Sequence, residues 1–175
     1  MADDRQLWER ICQGDVRAFD AFYRENAPRL EMFLRNVVGN RQAAEDLMQE
    51  TFTQMWQRPN GFQPERGSLR AYLFGIGRKR AADWWRKREA PDARTQELAD
   101  ESRAETKLGV QEAFDKLPEE LRTLIWLREV EGQSYAELAE TFEIPIGTVR
   151  SRLFAAREAL RNMWRGSGQQ EKEKP

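Results

Sequence analysis

The sequence predicts an all-α protein: two small helical domains joined by a flexible acidic linker, the C-terminal one containing a helix-turn-helix. Three observations carry this. Apolar residues recur at three- and four-residue spacing along almost the whole chain, whereas the period-two alternation of strands is nearly absent. The longest interval without an apolar stripe is EAPDARTQELADESRAE, from Glu89 to Glu105. Near the C-terminus, a short helical pattern, a tight connection and a longer basic helical pattern follow one another. The expected domains are 1–90 and 106–165, with a linker over 91–105 and a disordered tail over 166–175, where GSGQQEKEKP carries no hydrophobic pattern.

Helices are expected from Asp3 to Gln13, Val16 to Val38, Arg41 to Gln57, Ser68 to Lys87, Thr106 to Lys116, Pro118 to Glu129, Tyr135 to Phe142 and Ile146 to Trp164. The breaks fall on turn chemistry: Gly14-Asp15, Gly39-Asn40, Pro59-Asn60-Gly61, Leu117-Pro118, Gly132 and Ile144-Pro145. Ser134 followed three residues later by Glu137 has the form of a capping box, which fixes the start of the helix at Tyr135.

With 29 Lys and Arg against 30 Asp and Glu, attraction to a polyanion has to come from local segregation. From Glu65 to Arg88 eight cations face two acids, a local balance of +6, and the stretch DWWRKR sets Trp84 and Trp85 beside Arg86, Lys87 and Arg88. From Glu89 to Glu105 six acids face two cations, a balance of −4. One cysteine, Cys12, excludes an internal disulfide and points to a reducing compartment; the absence of histidine excludes imidazole catalysis and the usual Cys/His zinc sites. The acidic, polar start MADDRQLWER is unlike a secretory signal, and no apolar run approaches bilayer length. The expected location is the cytoplasm, with no insertion into a membrane.

In the last helix Val149, Leu153, Ala156 and Leu160 share a narrow arc at about 100° per residue. With that arc toward the core, Gly147, Ser151, Phe154 and Ala155 point outward, flanked by Thr148, Arg150, Arg157 and Arg161. In a recognition helix the exposed N-terminal residues reach base edges, and arginines on the flanks take phosphates. A helical hairpin with a solvated basic face has the same pattern.

Three stretches together resemble a known family. AAEDLMQETFTQMW (43–56), GSLRAYLFGIGRKRAADWWRKR (67–88) and KLPEELRTLIWLREVEGQSYAELAETFEIPIGTVRSRLFAAREALR (116–161) are similar, in order and spacing, to bacterial group IV, or extracytoplasmic-function (ECF), RNA polymerase sigma factors of the sigma-70 family. The resemblance implies a transcription initiation factor that is not an enzyme and has no cofactor, metal or small-molecule substrate. Its partners would be core RNA polymerase, promoter DNA in duplex and single-stranded form, and an inhibitory anti-sigma factor. It implies that the helix matching 43–56 docks on the polymerase, and the residues agree: Asp46, Gln49, Glu50, Thr53 and Gln57 share one face, opposite Leu47, Met48, Phe52 and Met55. It also implies that the loop from Arg58 to Gly67 and the helix after it receive the downstream (minus-10) element and hold the separated strand, through Asn60, Phe62, Arg78, Lys79, Arg80, Trp85, Arg86, Lys87 and Arg88. The inward stripe of Leu69, Leu73 and Ile76 passes nearer Trp84 than Trp85, so Trp84 is expected to pack and Trp85 to be the more exposed. Gly147, Thr148, Arg150, Ser151, Phe154 and Arg157 would read the upstream (minus-35) element.

Lys79 and Arg80 stand where many family members carry asparagine and an apolar residue, and Ala155 where many carry a basic one. Both sets of changes bear on sequence preference. Two other functions remain in view: a stand-alone helix-turn-helix regulator acting as a dimer, and a nuclease using Glu45, Asp46 and Glu50 for magnesium, which is disfavoured because Glu45 points away from the other two.

Overall fold

The computed structural model describes residues 4–58, 61–88, 114 and 116–170, with side chains described to residue 163. All regular structure among them is helical, in two compact units, one built on the N-terminal helices and one on the C-terminal helices.

In the N-terminal unit α1 spans Asp4–Cys12, α2 Val16–Val38, α3 Arg41–Gln57 and α4 Leu69–Arg88, with a single 3₁₀ turn at Pro64–Arg66. Local chemistry sets the boundaries. Gly14 and Gly39 take the left-handed conformation, at φ 81° and 70°, that ends a helix without a Cβ clash. Asn40 accepts the Ala43 amide at 2.7 Å to open α3. Asp15 accepts the amides of Arg17 and Ala18 at 3.0 and 3.1 Å to open α2.

Asp15 also receives two bonds from the Arg10 guanidinium, at 2.9 and 2.7 Å. That guanidinium, and then the Ala18 amide, hold its carboxyl below the ordinary aspartate range. A depressed folded value means that the stabilisation is present in full above the unfolded value of about 3.9 and is lost as pH falls through the folded one. Asp15→Asn keeps an acceptor for the amides but removes the titration. It is expected to flatten the acid limb of the thermal midpoint plotted against pH, relative to the native chain.

The core of this unit lies among α2, α3 and α4, which pack against one another pairwise. Leu30, Phe33, Leu34 and Val37 of α2 meet Ala44, Met55 and Phe52 of α3 and Leu69, Leu73, Phe74 and Ala81 of α4, all buried. The Phe33 and Phe74 rings sit 5.3 Å apart. At Gly77 a Cβ would lie 2.9 Å from Leu30 Cδ1, so glycine there lets α4 approach α2 closely.

In the C-terminal unit α5 spans Glu119–Glu129, α6 Tyr135–Phe142 and α7 Ile146–Gln170. The capping box at the start of α6 is present in both directions: the Ser134 amide donates to Glu137 Oε2 at 2.8 Å and the Glu137 amide to Ser134 Oγ at 3.1 Å. Between α6 and α7 the chain turns at Glu143, whose φ of 55° is the one positive value at a non-glycine among the described residues. The Ile144 amide returns to the Ala139 carbonyl at 3.1 Å, so the left-handed cap is made here without the glycine that usually marks it. Leu124 and Leu127 of α5, Leu138 of α6, and Val149, Leu153 and Ala156 of α7 are fully buried and form the core.

Two expectations change. The last helix continues to Gln170 rather than ending at Trp164, which places 166–170 of the expected disordered tail in helix. Gly166 and Gly168 each weaken a helix by about 1 kcal/mol but, unlike proline, neither blocks it. Leu160, expected in the core, is half-buried. The expected helix from Thr106 to Lys116 and the linker over 91–105 fall outside the described residues, apart from the helical Phe114 and from Lys116 in a turn. Among the described residues no helix is long and apolar enough to cross a membrane.

Candidate polymerase and nucleic-acid interfaces

α3 presents the expected division of faces. Asp46, Gln49, Glu50 and Thr53 are exposed, while Leu47, Met48, Thr51, Phe52 and Met55 are buried. Thr51 can lie inside because its hydroxyl donates to the Leu47 carbonyl at 2.6 Å. Asp46 accepts from Gln42 Nε2 at 3.1 Å and makes no ion pair among the described residues. Glu50 differs: it pairs with Arg80 of α4, which also donates from Nε to Gln54 Oε1 at 3.1 Å. No three His, Cys, Asp or Glu side chains among the described residues converge as a metal site would need.

Arg80, expected to follow the DNA backbone, is turned toward α3 within this unit. Its position on α4 faces Glu50 and Gln54 across the helix pair, and the charge-assisted bond takes the guanidinium. Lys79, Arg86 and Lys87 are exposed, whereas Arg78 and Arg88 are half-buried.

The two tryptophans at the end of α4 are not divided into one packed and one exposed ring. Both are half-buried and they meet edge-on, 4.9 Å apart. Trp85, expected on the open side, is the one tied to the body: its indole Nε1 donates to the Val37 carbonyl at 3.4 Å. Trp84 lies under the Arg88 guanidinium, 4.5 Å from its ring centre. The extrapolated stripe omitted a second buried line, Phe74 to Ala81, which continues at helical period to Trp85 and runs along the end of α2.

Phe62 lies inward. It is only 7% exposed, packed between Trp8 and Tyr72 with ring centres 5.8 and 5.7 Å away. Trp8 meets the ring edge-on and Tyr72 at a tilt, so Phe62 anchors the loop to α1 and α4. Asn60 lies outside the described residues.

On α7 the outward face is as expected: Gly147, Arg150, Ser151, Phe154 and Ala155 are exposed, and Thr148 and Arg157 half-buried. Phe154, at 67% exposed, is a large aromatic standing clear of its own core. Arg157 donates to Glu129 of α5 from Nε at 3.2 Å and Nη2 at 2.6 Å. Glu129, and after it Tyr135, raise its pKa further above the ordinary range and hold its direction. Tyr135 was missed by the sequence reading. Its ring lies 4.9 Å from the Arg128 guanidinium and 6.0 Å from that of Arg150. The available signal was that Arg150 and Arg157 are two turns apart on one line of α7, where one group beside the helix can meet both.

Comparison with known proteins agrees with this geometry. Residues 22–90 match the model of Sigma-70 region 2, and residues 107–160 that of Sigma-70, region 4. The RNA polymerase sigma-H factor of Pseudomonas aeruginosa is 32% identical over 90% of this chain and 91% of its own. The ECF RNA polymerase sigma-E factor of Haemophilus influenzae is 30% identical over 91% of this chain and 94% of its own. Among solved structures, the sigma factor RpoE of Bartonella quintana, in complex with the anti-sigma factor NepR, is 26% identical, with a TM-score of 0.69 over 84% of this chain and 96% of that one. With a polar α3 face, a basic α4 and an intact helix-turn-helix carried by both matched regions in order, this chain belongs to the extracytoplasmic-function branch of the sigma-70 family of RNA polymerase sigma factors.

Proposed function

We propose that this chain, as a sigma factor of the bacterial cytoplasm, divides promoter recognition between its two units. Asp46, Gln49 and Glu50 dock on core RNA polymerase. Gly147, Thr148, Arg150, Ser151, Phe154 and Arg157 read the upstream element in the major groove. The loop before α4, with Arg78, Lys79, Arg86, Lys87 and Arg88, receives the downstream element and follows the separated strand, with the Trp84 face as the aromatic surface beside them. The observation that carries this reading is the pair of family regions on one chain, each with its polar or basic face exposed over a buried apolar back.

Strand opening needs no catalytic residue and no nucleotide hydrolysis. A surface that binds the single strand more tightly than the duplex shifts the melting equilibrium by that difference. Stacking contributes on the order of 1–3 kcal/mol per base, and phosphate contacts make the whole salt-dependent. An anti-sigma partner is proposed for the free protein, since the Bartonella relative is bound by one and the same faces need cover when polymerase is absent.

Run-off transcription with purified core polymerase on a promoter library tests this. Promoter-specific transcripts that require the chain are expected. Specific binding to two-fold symmetric duplex sites with no transcript would instead make it a stand-alone dimeric regulator.

A further inference from the structure

The first helix, α1, precedes the matched segment 22–90, yet three of its side chains converge on the loop before α4. Asp4 Oδ2 accepts the backbone N–H of Leu69 at 2.7 Å, so the start of α4 is capped by a residue far away in sequence. Ser68 Oγ takes another first-turn amide, that of Ala71, at 3.2 Å. Arg5 Nη2 donates to Glu65 Oε1, in the 3₁₀ turn, at 2.6 Å. Trp8 meets Phe62 and Tyr72 edge-on, at 5.8 and 6.0 Å. Behind them the Gly61 backbone lies so close to the Tyr72 phenol that a Cβ there would fall 1.9 Å from its oxygen.

These contacts differ in kind and fall on one segment, residues 61–69. The ion pair is exposed on both sides and holds little. The Asp4 cap and the buried aromatic cluster set the path of the loop.

We propose that α1 is a positioning element for recognition of the downstream promoter element, with Asp4 and Trp8 as its positioning residues. They keep loop 61–68 in the shape that receives an unstacked base, while neither touches the DNA. The proposal rests on the reading of that loop given above. A loop in the competent shape only part of the time binds more weakly by that fraction, and the loss falls on the base it recognises.

The test uses holoenzyme assembled from core polymerase and the full chain, with a fluorescent fork DNA single-stranded across the downstream element. The probe carries either the sequence selected by the promoter library or a scrambled one. Asp4→Ala is expected to lower the selected-over-scrambled affinity ratio about fivefold, the range of a lost helix cap. Asp4→Asn, which keeps a side-chain acceptor, should restore it, and Trp8→Phe should fall between. Affinity for core polymerase and for duplex carrying only the upstream element should be unchanged in all three. If the native chain does not distinguish the two forks, the reading of the loop fails and the proposal with it. If the native chain distinguishes them and Asp4→Ala does so equally well, the proposal alone is overturned. A parallel loss of polymerase or upstream binding also overturns it, by making α1 a general support.

Discussion

Asp46→Lys is expected to abolish promoter-directed run-off by weakening the complex with core polymerase by roughly 2–5 kcal/mol, about 30-fold at the lower end. The carboxylate is exposed on the polar face of α3 and its one described partner is Gln42. Nothing in the fold depends on it, so the thermal midpoint should stay within the range of ordinary surface changes. Glu50 is a less clean target on the same face. Its carboxylate is shared with Arg80, and Glu50→Lys would place two cations together between α3 and α4. Polymerase pull-down and run-off transcription check both variants. Asp46→Lys at native transcript levels would remove α3 from the docking surface.

The shared Glu50 also shows where sequence reading reaches its limit. Helix boundaries were legible because caps are local: Asp15, Asn40 and the Ser134–Glu137 pair each act within three residues of themselves. The buried and exposed faces of α3 and α7 were legible because one periodicity governs each. What stayed hidden was set by partners distant in sequence. Glu50 comes across from α3 to Arg80, Trp8 packs edge-on against Phe62, and the Val37 carbonyl lies beside Trp85. The Asp4 cap on Leu69 has no sequence signal, since 65 residues separate donor from acceptor. The turn of the helix-turn-helix was legible from Ile144-Pro145, but the left-handed residue that makes it was not, because Glu143 occupies a position that glycine normally announces. For the site, then, the residue types and their faces were readable. Which cations and aromatics are free to meet a partner was not.

Two neighbouring residues of α7 separate holding the recognition helix from reading DNA with it. Leu153 is fully buried, whereas Phe154 is largely exposed. Leu153→Ala removes a side chain from a core that rests on a few residues of α5, α6 and α7, and such cavities cost about 2–5 kcal/mol. A helical unit this small holds only a few kcal/mol in reserve, so the change is expected to unfold it, with loss of its share of helical circular dichroism and of upstream binding together. Phe154→Ala leaves that core intact. It is expected to keep the circular dichroism signal and the thermal midpoint while lowering discrimination of the upstream element by about 1–3 kcal/mol, the range of a lost base-edge contact. Salt dependence sharpens the comparison: phosphate contacts set the slope of affinity against salt, so Phe154→Ala should leave that slope unchanged and lower the affinity for the specific sequence alone. A Phe154→Ala protein that discriminates upstream sequences as well as the native chain would show that the exposed ring faces a protein partner instead of a base.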